Sequence, residues 1–220
     1  MKKHYSEQLA RIREMVLRMG GLVEQMTQRV VQALVQRDPA LLVEVREMEG
    51  RVNQLHIDTD EACLEIIALR QPAATDLRFI AAAMKIITDM ERIGDQAINI
   101  AERADSLLTV PPLKPLIDIP RMADIAQEML KTALDAYVKG DDQSAYRTIL
   151  KDDEVDQLKD QVFRELLTFM MADPTTIPRA MDLILVSRHL ERIADHATNI
   201  CEDVIFMVKG KDVRHQGPMA

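Results

Sequence analysis

The chain has 220 residues, a formal net charge of −8, no tryptophan, three tyrosines, four phenylalanines, seven glycines and 14 methionines. So few aromatic residues and glycines argue against a sheet sandwich or barrel, and the plentiful Ala, Leu, Ile, Glu and Arg favour helices. The acidic balance argues against a nucleic-acid partner, and no apolar run reaches the roughly 18 residues of a membrane span.

The opening stretch MKKHYSEQLARIREM lacks the apolar centre of a signal peptide, so a cytoplasmic protein is expected. Residues 5–36 carry Leu9, Ile12, Val16, Met19, Val23 and Met26 near 3.6 spacing and predict an amphipathic helix, with Gly20-Gly21 as a possible bend. Arg37-Asp38-Pro39 stops it: Asp38 is suited to cap the next helix and Pro39 to its first turn. A second helix is predicted over about 40–70 and ends at Gln71-Pro72; a third runs from Thr75 to about Leu107. Residues 108–118, LTVPPLKPLID, hold three prolines and no helical period, and read as a linker.

A second trio follows, predicted at about 119–139, 142–171 and 175–209. Its breaks fall at Gly140, where Asp141-Asp142 restart the chain, and at Asp173-Pro174. The tail from 210 to 220 has no packing pattern and reads as loose. Cys63 and Cys201 read as reduced, packed thiols rather than a disulfide or metal motif.

The two trios are copies. Met19, Met26, Ala33 and Leu55 recur as Met122, Met129, Ala136 and Leu158 at an offset of 103, and the third helices align at an offset of 100. The expected fold is all-α: two tandem three-helix bundles related by internal duplication, at 1–107 and 119–209. Both third helices carry E-R-I-x-D-x-A-x-N-I-x-E, at 91–102 and 191–202. A repeat kept only for packing would preserve apolar letters. Here Glu91, Asp95 and Asn99 recur as Glu191, Asp195 and Asn199.

On a helix, positions four apart share a face about 6 Å apart along the axis. Glu91 and Asp95 therefore point the same way, as do Glu191 and Asp195, and they lie on the apolar stripe that runs from Met84 and Ile87 to Ile98. A carboxylate pair that interrupts a buried stripe calls for a cation, whether Arg, Lys or a metal ion. The second helices supply matching pairs: Glu49 with Asn53 in the first half, Asp152 with Asp156 in the second, and Asp160 a turn on. Such clusters of hard oxygen ligands suit Mg²⁺, Mn²⁺, Ca²⁺ or Fe; zinc is less suited, since no His/Cys set accompanies the acids. The alternative is a metal-free scaffold, its acids neutralised by Arg78, Lys85 and Arg92 in the first half and by Arg188 and Arg192 in the second. His189 stands just before the second signature and His196 inside it; their counterparts are Asp89 and Gln96, which favours a surface role over accessory ligation. A di-metal oxidase of the ferritin type would need Glu-x-x-His on two helices, and no Glu here has His three residues on. No nucleophile set or phosphate loop is present either, so no enzyme is expected.

The stretch RQPAATDLRFIAAAMKIITDMERIGDQAINIAE at 70–102 closely resembles the signature of the PhoU family, and LERIADHATNICEDVIFMVKG at 190–210 resembles its second copy. The resemblance covers nearly the whole chain. It implies a pair of three-helix bundles whose acidic motifs bind metal clusters, here at Glu49, Asn53, Glu91, Asp95, Asp152, Asp156, Glu191 and Asp195. The ions implied are divalent or trivalent: Fe, Mn, Mg or Zn. Asn53 departs from the family pattern, in which an acid often stands, so the first site is expected to be the weaker. The resemblance also implies a non-enzymatic negative regulator of the phosphate-starvation regulon. Such a protein would link the ATPase subunit of a phosphate ABC transporter to a sensor histidine kinase, and would be a homodimer peripheral to the membrane at most.

Overall fold

The computed structural model describes residues 2–211 and 213, with side chains from Tyr5 onward. The remainder of the tail read as loose lies outside the described residues. Seven α-helices occur among them, and no strand: α1 Lys2–Gln36, α2 Ala40–Arg70, α3 Ala74–Leu108, α4 Asp118–Lys139, α5 Asp142–Ile149, α6 Asp152–Ala172 and α7 Ile177–Lys209. A short 3₁₀ turn, Pro174–Thr176, precedes α7, with the Asp173 side chain accepting from the Thr175 N–H.

The turns follow the duplication. In the second half Gly140, at φ +65°, ends α4, and the Asp141 N–H donates to the Ala136 carbonyl at 3.0 Å. Asp141 then caps α5, its carboxylate accepting from the Gln143 and Ser144 N–H groups. In the first half the same closure is made with Arg37 at φ +57°, and the Asp38 N–H donates to the Ala33 carbonyl at 3.1 Å. A left-handed arginine costs about 1 kcal/mol. Its guanidinium donates to the carbonyls of Leu108 (2.9 Å), at the end of α3, and Val110 (2.7 Å), just beyond it, which offsets that cost.

The helix expected at 142–171 is two helices. Leu150 and Lys151 keep right-handed angles, but the Lys151 and Glu154 N–H groups donate three residues back, to Thr148 and Lys151. This tightening starts a new helix at Asp152. It places Asp152, Asp153 and Glu154 in the first turn of α6, where the helix dipole favours acids.

α1 runs unbroken through Gly20-Gly21. A Cβ built on Gly20 would run into the Leu134 side chain of α4, whereas one on Gly21 would meet nothing within 4 Å. Gly20 is a close-approach residue between the halves.

The largest interface in the molecule joins α3 to α7, and α1 also packs on α4. Both contacts pair equivalent helices of the two copies, as a pseudo-twofold relation requires. The apolar side chains form a single core that includes Ile93, Ala97 and Ile100 with their counterparts Ile193, Ala197 and Ile200, all fully buried. Burial of each isoleucine contributes about 1.5–3 kcal/mol. The charged signature positions are thus fixed by a stripe that could not rotate without exposing this core.

Candidate functional site

The α3–α7 contact is antiparallel, and its polar pairs cross between the copies. His196 Nδ1 lies 2.8 Å from the Asp89 carboxylate, and His189 Nδ1 lies 2.9 Å from the Gln96 side-chain oxygen. At the offset of 100 these two pairs are images of one another. His189 and His196 are therefore partly buried joints between the halves, which corrects the surface role expected for them. Burial first, then Arg192, Arg103 and Arg188, hold the His189 imidazole below its usual pKa. Asn199 joins the same network, donating to Asp89 at 3.0 Å rather than turning to its own acidic pair. Farther along, Lys85 donates to the buried Asp203 at 3.0 Å, and Arg103 stands 3.5 Å from Asp182.

In the second half the acidic pairs meet in a seam between α6 and α7, and the equivalent positions of the first half lie on α2 and α3. In the first seam Glu91 and Asp95 are partly exposed on α3, Glu49 is half-buried on α2, and Asn53 is exposed. The counter-charge is Arg92, from the same helix as the acids, at 3.6 Å from Glu91 and 3.5 Å from Asp95. Arg78 and Lys85, expected to help there, are engaged elsewhere: Arg78 with the Met207 carbonyl and Lys85 with Asp203.

The second seam is more crowded. Loss of water first, then the charges of Asp195, Asp156, Glu191 and Asp153, push the Asp152 carboxyl up to about 6. Asp195 is raised as well, by partial burial and by Glu191 and Asp156. Acids from α6 and α7 thus feel one another. The counter-ion is neither Arg188 nor Arg192 but Lys159 of α6. Its Nζ donates to Asp156 Oδ1 at 2.7 Å and to Glu191 Oε1 at 2.9 Å, so one ammonium ties the two helices together. Lys159 was not singled out from the sequence, yet a signal was there. It stands three residues after Asp156 and seven after Asp152, on the same helical face. Asp160, beside it, is exposed.

Among the described residues no three His, Cys, Asp or Glu side chains are gathered into a ready-made metal cage. The donor chemistry of the second seam nevertheless fits a hard cation: four carboxylates on two helices, with the Asp152 carboxyl raised first by loss of water and then by its acidic neighbours. In the first seam Arg92 already stands against Glu91 and Asp95, and among the described residues no hydrogen bond or ion pair ties Glu49 or Asn53 to them, which makes it the poorer fit.

The PhoU domain matches this chain twice, over residues 16–104 and 119–204. The phosphate-specific transport system accessory protein PhoU homolog of Pseudomonas putida is 40% identical over 218 residues, spanning 99% of this chain and 85% of that protein. The phosphate-specific transport system accessory protein PhoU of Escherichia coli K12 is 38% identical over 221 residues, spanning 99% and 92%. The crystal structure of PhoU from Pseudomonas aeruginosa superposes with a TM-score of 0.90 at 39% identity, covering 94% of this chain and 100% of that one. The phosphate transport system regulatory protein PhoU from Streptococcus pneumoniae gives a TM-score of 0.86 at 26% identity, covering 95% and 99%. With both copies matched, the signature helices paired across the pseudo-twofold and the relatives alike from end to end, this chain belongs to the PhoU family.

Proposed function

We propose that the protein is an accessory regulator of phosphate-specific transport. In this reading it is a non-catalytic, cytoplasmic adaptor between the ATPase subunit of a phosphate ABC transporter and a sensor histidine kinase. It holds the kinase in its repressing state when phosphate is plentiful. The observation that carries the reading is likeness across 99% of the chain to relatives named as phosphate-specific transport system accessory proteins. Helices of 35 residues with many exposed side chains suit a docking role. No helix among the described residues is long and apolar enough to cross a membrane, so contact with the transporter would be through its peripheral parts.

Within this reading the acidic seams hold cations, the second more tightly than the first. Asp152 and Asp156 from α6 would meet Glu191 and Asp195 from α7; Glu49 and Asn53 from α2 would meet Glu91 and Asp95 from α3. A bound divalent ion would supply positive charge between the two helices and offset both the burial of the Asp152 carboxylate and the charge of its acidic neighbours. The rival reading, a metal-free scaffold, is favoured by the cations already in place, Arg92 and Lys159. Elemental analysis of protein purified without chelator or nickel resin separates the two: retained Fe, Mn, Mg or Zn supports the seams, and metal-free protein whose melting is unmoved by these ions supports the scaffold.

The regulatory role is tested in a deletion strain grown in high phosphate. Alkaline phosphatase expression is expected to rise and to return to its low level when the gene is restored. Expression that stays low in the deletion refutes the adaptor.

A further inference from the structure

The two seams differ in one respect that the duplication does not explain. In the second, the positive charge comes from α6 itself and lies between the carboxylates of two helices. The Lys159 side chain is only 28% exposed, and its ammonium spans Asp156 and Glu191. At the equivalent position, offset by 103, the first half has His56. No hydrogen bond or ion pair among the described residues joins His56 to Glu91 or Asp95. Arg92 is 58% exposed and stands at 3.5–3.6 Å, at the rim of its seam rather than between two helices.

We propose that Lys159 is a built-in competitor for the second seam: its ammonium occupies the cation position between α6 and α7, and an incoming ion must displace it. The inference rests on the cation-binding reading of the seams given above. Lysine suits such a part. Its charge is a compact point on a flexible stem, so it can leave for solvent without moving the helix, which a bidentate arginine wedged between helices would do less readily. Its hydrogen bond to Asp156, then that to Glu191, hold the group above the ordinary lysine pKa, so it is fully charged near neutrality.

The exchange has a consequence for selectivity. Asp152, Asp156, Glu191 and Asp195 bring four negative charges, and Lys159 returns one. A monovalent ion offers no more charge than the ammonium it would replace, and also has to shed water. A divalent ion gains on exchange. Lys159 thus lowers the affinity of the seam for every cation, and excludes monovalent ions in favour of divalent ones.

The test is Mn²⁺ binding by the full chain, measured by calorimetry, with the first seam silenced by Glu91→Gln and Asp95→Asn. Adding Lys159→Met, which keeps the length of the stem and removes the charge, is expected to tighten Mn²⁺ binding about tenfold, the size set by two partly exposed ion pairs. It is also expected to make binding more sensitive to added K⁺. Equal affinity with and without Lys159 overturns the competitor and leaves the cation seam standing. No Mn²⁺ binding in either protein overturns the seam, and the competitor with it. A second measurement needs no variant: in unsubstituted protein, acylation of Lys159, read by mass spectrometry, is expected to be slow in chelator and to speed up on Mn²⁺ saturation. Bound Mn²⁺ with unchanged Lys159 labelling overturns the inference.

Discussion

Asp152→Asn removes one charge from the most crowded point of the second seam. In the folded chain the Asp152 carboxyl is raised to about 6, from an ordinary value near 3.8. A raised acid favours its neutral form in the folded state. The stability it lends is therefore complete below about pH 4 and lost as the pH climbs through 6. Taken at face value, a shift of about two pH units is worth about 3 kcal/mol. Asp152 is only half-buried, and it also sits in the first turn of α6, where a negative charge is favoured. Solvent screening and the helix dipole reduce the expected gain to about 1 kcal/mol. The variant should thus melt about 2–4 °C higher than the unsubstituted protein at pH 7 in chelator, and the gap should close toward pH 4. With saturating Mn²⁺ the order should reverse, because the unsubstituted protein gains binding energy that the variant, one ligand short, does not. Differential scanning calorimetry at pH 7 and pH 4, with and without Mn²⁺, reads all four conditions. A variant less stable than the parent at pH 7 in chelator would show that the acids of this seam do not repel as described.

The two adjacent glycines of α1 should respond with opposite signs. Gly21→Ala meets open space and should stabilise by about 0.5–1 kcal/mol through helix propensity, while Gly20→Ala must displace the buried Leu134 and should cost about 1–2 kcal/mol net; urea melts that rank the two alike would refute the close approach of α1 and α4. Burial pushes the Cys63 and Cys201 thiols up to about 12, so native protein near neutrality should react slowly with a maleimide and quickly once unfolded. Fast labelling of either thiol in the native state would place it at the surface instead.

Several features were legible because they are local. Helix bounds at Ala40–Arg70 and Asp118–Lys139 follow from caps, prolines and apolar spacing, all of which lie within a few residues of the boundary. The pairing of Glu191 with Asp195 on one face, and of Asp152 with Asp156 on another, follows from the helical repeat alone. The break at Leu150-Lys151 was not legible, since it contains neither glycine nor proline; it is made by three-residue hydrogen bonds that the surrounding packing accommodates. The close approach at Gly20 was not legible because the residue it meets, Leu134, lies in the other copy. His189 and His196 looked superficial for the same reason. Their partners, Gln96 and Asp89, come from a helix about a hundred residues away.

The sequence by itself determined an all-α chain, its duplication, and the carboxylates that each helix presents, because periodicity and self-similarity need no knowledge of what faces what. Tertiary structure decided how unlike the two seams are. Which cation answers an acid depends on which side chain can reach it and on how much water the neighbouring helix excludes. Lys159 between α6 and α7, and Arg92 at the open edge of α3, are set by helix packing that no spacing rule along one strand of sequence contains.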